Sequence, residues 1–207
     1  MLTGERGGGG SVPVQPGGRP PAAGELALVQ AFINSHYDLE VDHGAELLAT
    51  PAGLSRWLSD HGLAPARMPL HAADLTRALA VREGLRELAR HNNGRPTPAA
   101  APALSLEGLN QAAAGAGVEI RLGIQGPRFV SAGHGLDRAL GVLLAITATT
   151  MLDGTWRRLK VCPGHHCGWA FYDHSRNQTG RWCSMSVCGG RSKARAHYRR
   201  RRVEKLG

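Results

Sequence analysis

The sequence predicts an α+β protein, a mainly α-helical N-terminal domain with one small β-hairpin followed by a small four-cysteine metal module that ends in a basic helix. Three observations carry this reading. Between residues 25 and 152 apolar residues recur at three- and four-residue steps in successive segments. Val118 to Val130 instead alternates apolar and charged residues around Gln125-Gly126. All four cysteines lie within residues 162–188. A chain of 207 residues has room for one sizeable domain and a small one.

Taken in order, residues 1–24 hold eight glycines and four prolines. They have little apolar surface to offset the entropy of ordering, so a disordered arm is expected. From Glu25 the stripe Leu26, Leu28, Val29, Phe32, Ile33 predicts a helix that Asn34-Ser35-His36 breaks. The polar stretch His36 to Ala45 reads most simply as a solvated loop. The alternative readings are a ligand pocket lined by Asn34, His36, Asp42 and His43, or a metal site through His36, Asp42 and His43.

Thr50-Pro51 reads as an N-cap followed by proline at the first helical position. It opens a helix through Leu54, Trp57 and Leu58 that Gly62 ends. The most periodic segment is Ala72 to His91, an amphipathic helix with Leu75, Ala78, Leu79, Arg82, Leu85, Leu88 and Ala89 on one stripe and the arginines and glutamates opposite. Asn93-Gly94 closes it, and Pro96 to Pro102 is a loop. Leu104 to Ala114 is helical, Val118 to Leu122 and Arg128 to Val130 form the hairpin, and Leu136 to Leu152 is the central helix of the domain. Asp153-Gly154 is the expected boundary, giving an N-terminal domain over 25–152 and a C-terminal module over 153–207.

The cysteines fall as Cys162/Cys167 and Cys183/Cys188, each pair separated by four residues and the pairs by fifteen. Two tight turns carrying paired thiolates are how one tetrahedral Zn²⁺ is held, and a shell of four thiolates leaves no open position for substrate. One structural zinc per chain is therefore expected. An iron–sulfur cluster and disulfides need the same residue type. Zinc is preferred over disulfides because the N-terminus has no signal-like apolar run and no stretch approaches the ~20 apolar residues of a membrane span. The expected location is the cytoplasm, with no membrane partner. His165, His166, His174 and His197 stand near the cysteines, but four sulfurs already fill the shell.

Charge gives the module a partner. From Asp153 onward thirteen basic residues face three acidic ones, a net +10, so the first 152 residues carry −1 and the whole-chain +9 belongs to this end. Only three of the thirteen are lysines, and arginine suits phosphate. After Cys188 the chain favours helix, and a 100° step places Arg191, Arg195, Arg199 and Arg202 on one face. The candidate nucleic-acid contacts are Arg176, Arg181, Arg191, Lys193, Arg195, Arg199, Arg200, Arg201 and Arg202. Trp169, Phe171, Tyr172 and Trp182 are expected mainly to pack around the metal.

The order Lys160, Cys162, Cys167, Trp169, Phe171, Asp173, Ser175-Arg176-Asn177, Arg181-Trp182-Cys183-Ser184-Met185, Cys188-Gly189, Arg191, Lys193-Ala194-Arg195 resembles the CGNR-type zinc finger. In that family the finger follows an N-terminal ABATE domain, in proteins viewed as stress-induced bacterial transcription regulators. The resemblance implies a treble-clef-like finger and a DNA-binding regulator whose first domain senses a small-molecule effector or mediates homodimerisation. Gly190 departs from the family pattern, standing where the family name has Asn, a residue that would cap the following helix.

Charge and metal spacing alone say only nucleic acid, so RNA or ribosome association stays open. No phosphate-binding glycine loop and no serine–histidine–acid motif occurs. Treble-clef scaffolds also carry nuclease sites, for which Asp173, His174 and Asn177 are the candidates here; without a second distant histidine motif no enzymatic activity is expected.

Overall fold

The computed structural model describes residues 15–36, 46–94, 101–164 and 167–204. Among the described residues six α-helices and two antiparallel hairpins follow one another in the order α1 (Leu26–Ile33), α2 (Pro51–Asp60), α3 (Ala72–His91), α4 (Ala101–Gly115), β1 (Val118–Gly123), β2 (Gly126–Ser131), α5 (Gly135–Leu152), β3 (Leu159–Val161), β4 (Ala170–Tyr172) and α6 (Gly190–Glu204).

Local chemistry sets most boundaries. Thr50 is extended and its Oγ1 accepts from Gly53 N at 3.0 Å, while Pro51 occupies a position whose N–H would go unpaired. Asp74 Oδ2 accepts from His71 N at the start of α3. The helix α4 begins at Ala101 rather than Leu104, because Pro102 falls in its first turn, where a missing N–H is harmless. The rest of the expected loop before it, from Pro96, lies outside the described residues. In the hairpin Gly123 pairs with Gly126 across a two-residue turn, and Ile120 pairs with Phe129.

The core forms where α1, α2, α3 and α5 meet. Phe32, Ile33, Leu54, Leu58, Leu85, Leu140 and Leu143 have no exposed surface, and Trp57 packs on Phe32 with ring centroids 5.3 Å apart. Although α5 is long and apolar enough to cross a membrane, its buried face lies in this core. The same core continues without a break into the C-terminal module through Trp156, Leu159, Val161, Ala170 and Tyr172. Burying these side chains, at ~25 cal/mol per Å² of apolar surface, couples the two parts in one hydrophobic unit.

Two expectations fail here. Residues 15–24 do not form a disordered arm; they lie against the module, with Gln15 and Ala22 buried. They bury little apolar surface of their own, and are held by hydrogen bonds that reach 153–163 residues along the chain: Arg19 Nη1 and Nη2 donate to Tyr172 O and Trp182 O, and Trp169 Nε1 donates to Gln15 Oε1. The Arg19 guanidinium also sits 5.0 Å from the Phe171 centroid. The preceding residues, 1–14, lie outside the described residues.

The second concerns Arg86 of α3, expected opposite the apolar stripe but buried beside Arg82, a member of that stripe. Arg82 and Arg86 are 4% and 5% exposed. Arg82 makes a two-pronged pair with Glu46 and a third bond to Glu83, and Arg86 bonds Glu83 and the carbonyls of Ile33 and Gly168. Guanidinium groups go inside only when their donors are matched, and here they are.

Candidate metal centre and nucleic-acid interface

The strands β3 and β4 pair antiparallel, Leu159 with Tyr172 and Val161 with Ala170. Cys162 N donates to Trp169 O at 2.9 Å and Cys167 N to Gly164 O at 3.0 Å, closing the first turn around the thiols. Gly164 has to lack a side chain, because a Cβ there would stand 3.0 Å from Cys188 Sγ and 3.2 Å from Cys167 Cβ. Gly168, at φ +58, makes the reversal into β4. The second pair flanks Ser184. Its carbonyl accepts from Cys188 N and Gly189 N, and its Oγ accepts from Val187 N, so a π-helical turn, Met185–Gly189, leads straight into α6.

The four Sγ atoms all lie within 4.8 Å of one another and all four cysteines are buried. Cys167 to Cys183 is 3.7 Å and Cys183 to Cys188 is 3.6 Å. Four sulfurs at the Zn–S bond length of ~2.3 Å define tetrahedron edges of about 3.8 Å, so the donor set has the size and chemistry of a zinc site. The cysteines are not disulfide-bonded. Without a cation the sulfurs cannot ionise together. Hydrogen bonds from Cys167 and Cys183 hold the Cys162 thiol down to about 3, the same contacts with Cys162 push Cys167 and Cys183 up, and burial pushes Cys188 up. A divalent ion bound to all four would remove that conflict, and with no position left open it supplies structure and no reaction chemistry.

The ABATE family model, described as "Putative stress-induced transcription regulator", matches residues 26–154, more than half of the chain. The chain belongs to the ABATE family. The CGNR zinc finger model matches residues 158–201, which contain all four ligands and most of α6. The protein is thus a zinc-finger member of a transcription-regulator family, with one zinc site formed by Cys162, Cys167, Cys183 and Cys188. A comparison with curated proteins finds no match.

The ABATE part grips the finger through polar side chains that no local pattern would place there. Asn34 is 1% exposed; its Nδ2 donates to Ala170 O and its Oδ1 accepts from Ala170 N, both at 2.8 Å. It therefore pins β4. His36 Nδ1 lies 3.7 Å from Glu46 Oε2, while Asp42 and His43 lie outside the described residues. Asn93, expected only to help close α3, and its neighbour Asn92 donate to the finger carbonyls of Trp156, Leu159, Val161 and Arg181.

Within the CGNR finger Asp173 is fully buried, and its partner is Lys160, not Arg176 or Arg181. Lys160 Nζ donates to Asp173 Oδ2 at 2.8 Å and to the carbonyls of Gln178 and Gly180. Asp173 also accepts from Ser175 N and Gly180 N, and a Cβ on Gly180 would come within 2.8 Å of its carboxylate. Burial alone would raise this carboxyl, but hydrogen bonds from Lys160 and Ser175 hold it down to about 2. One buried ion pair thus organises the loop 173–180, which carries Arg176. Asp173 is occupied in this way, His174 packs on Tyr172 and approaches the carbonyls of Pro20 and Pro21, and Asn177 is exposed.

Trp169, Phe171 and Tyr172 are buried and Trp182 packs against the ligand cluster, as their expected packing role requires. Arg176, Arg181, Arg191, Lys193, Arg195 and Arg201 are exposed, and none makes an ion pair among the described residues. The side chains of Arg199, Arg200 and Arg202 lie outside the described residues, as do His165 and His166. Ser184, not residue 190, caps the helical segment. Gly190 is already helical at φ −62, ψ −47, so an Asn in its place would cap nothing.

Proposed function

We propose that this protein is a DNA-binding transcription regulator in which the zinc-held finger presents α6 and the loop 173–181 to the duplex, while the ABATE part senses an effector or pairs with a second copy. One observation carries the reading: six exposed cations with no ion pair among the described residues flank a buried metal centre, in a chain whose first 152 residues carry net −1. Elsewhere in the finger cations are consumed internally, since Lys160 pairs with Asp173 and Arg158 Nη1 bonds the carbonyls of Asp173 and Ser175. Those left over face outward, where phosphate would be their partner.

A hairpin whose connection carries Cys162 and Cys167, followed by a second cysteine turn and a helix, supports a treble-clef-like finger. Between Arg191 and Arg201 every described side chain except the half-buried Ser192 is exposed, so α6 projects rather than packs. Zinc in a closed four-cysteine shell has no position for catalysis, and we assign no enzymatic activity. Reduced thiols suit the cytoplasm, where we place the protein.

The test is fluorescence anisotropy of the zinc-loaded chain with genomic DNA fragments and with structured RNA across a salt series. Tight DNA binding with a steep salt slope, and an enriched palindrome on selection, supports a dimeric DNA regulator. Binding to RNA alone would replace that reading with RNA or ribosome association.

A further inference from the structure

An open groove of about 580 Å³ runs between α2 and the segment 66–70, a size typical of small-molecule sites. One wall is a single face of α2 bearing Ser55, Arg56 and Asp60; the other bears Arg67, Met68 and Leu70. This is not the region around Asn34 that the sequence suggested.

Three features mark the groove. Ser55 is 6% exposed and its Oγ has no hydrogen-bond partner. A helical hydroxyl ordinarily turns onto the carbonyl four residues back, as Thr147, Thr149 and Thr150 of α5 do; Ser55 does not. Arg67 has φ +60, a left-handed backbone that disfavours any residue with a Cβ and is retained where something else demands it. Finally, Arg56 and Arg67 form no ion pair among the described residues, whereas Arg77, Arg82, Arg86 and Arg90 of α3 each meet a carboxylate. Asp60 is the one acid on the walls, leaving the groove at net +1 beside the apolar surfaces of Met68 and Leu70.

We propose that this groove binds a small organic monocarboxylate, its head held by the guanidinium groups of Arg56 and Arg67, with Ser55 a further donor once its unpartnered hydroxyl turns outward from its buried position, and its apolar body lying along Met68 and Leu70. Two guanidinium groups match a carboxylate geometrically and electrostatically, and a single net charge favours a monoanion over a phosphate dianion. The proposal deepens the sensing role assigned above and rests on that reading only for its biological consequence.

The probe is octanoate, titrated through the millimolar range into the full zinc-loaded chain and followed by amide chemical shifts, with octylammonium and inorganic phosphate as controls. Saturable shifts confined to α2 and residues 64–70, with neither control binding, are expected. Arg67→Gly suits the left-handed backbone and keeps the fold; it and Arg56→Gln should each weaken octanoate about 10-fold or more by removing a charge-assisted contact. Ser55→Ala should weaken octanoate without lowering the melting temperature of the free protein, since it removes a hydroxyl that has no partner. Absence of saturable shifts, equal binding of octylammonium or phosphate, or unchanged octanoate affinity in Arg67→Gly would overturn the proposal. DNA affinity is measured on the same samples without octanoate: octanoate binding without DNA binding removes the regulator reading and leaves the groove, and the converse removes only the groove.

Discussion

Replacing Asp173 by Asn tests whether one buried ion pair holds the surface loop of the finger. The substitution keeps the side-chain shape but leaves the Lys160 ammonium, 4% exposed, facing an amide. Breaking one side of a buried pair costs about 3–5 kcal/mol. A second magnitude comes from the carboxyl itself, held from 3.8 down to about 2, a displacement equivalent to about 2 kcal/mol of preference for the ionised form in the folded state. The substitution should exceed that figure because it also strands Lys160. Urea unfolding of the zinc-loaded protein, followed by tryptophan fluorescence, should show a loss of about 3 kcal/mol or more for Asp173→Asn and for Lys160→Met. The double variant, with no charge left to strand, should be at least about 1 kcal/mol more stable than the sum of the single losses implies. The sign with pH is fixed as well. A carboxyl held below its ordinary value stabilises fully above about pH 4 and loses that contribution only as pH falls through about 2, so Asp173 contributes no pH dependence between about pH 5 and 8. Additive single losses, or variants as stable as the parent, would refute the argument that this pair organises residues 173–180.

Because the core is shared between the ABATE part and the finger, Cys183→Ser or zinc chelation should lower the melting temperature of the whole chain in one transition; calorimetry resolving an unshifted second transition for α1 to α5 would contradict this. Asn34→Leu removes both bonds to the Ala170 backbone and should cost about 2–4 kcal/mol in denaturant unfolding, identifying a pin rather than a pocket residue. Arg191→Ala and Arg195→Ala should each lower the slope of log affinity against log salt by about one, whereas Arg158→Ala, whose guanidinium is bound to loop carbonyls, should leave the slope unchanged in anisotropy titrations. Gly190→Asn should change stability by less than about 0.5 kcal/mol, since a Cβ there meets nothing nearer than Met185 O at 3.5 Å.

The features legible in the sequence were those whose cause is local. Thr50-Pro51 caps and starts α2 wherever the helix sits, the alternation from Val118 makes a hairpin whatever packs on it, and the cysteine spacing defines the turns that hold the metal. The four zinc ligands were therefore identifiable one by one, and the exposed arginines of α6 followed from charge and helical step. Errors arose where a residue's role is set by a distant partner. Asn34, Asn92 and Asn93 look like helix-end residues and are that, yet their amides also bond carbonyls 64–136 positions away in the finger. Arg86 shares the helical phase of Leu79 and Arg82, so only its charge points to the solvent side; Gly168 O and Ile33 O give its guanidinium partners inside.

By itself, then, the sequence determined the element order, the metal-binding residues and the sign of the finger's surface, because periodicity, capping, ligand spacing and net charge act over a few residues or as sums over many. Tertiary structure alone decided that the ABATE part and the finger share one core, that residues 15–24 lie against the finger, and which of its cations are free. A buried amide or guanidinium must find an acceptor or stay in water, and which acceptor comes within about 3 Å depends on how distant segments pack, a quantity that no local pattern encodes.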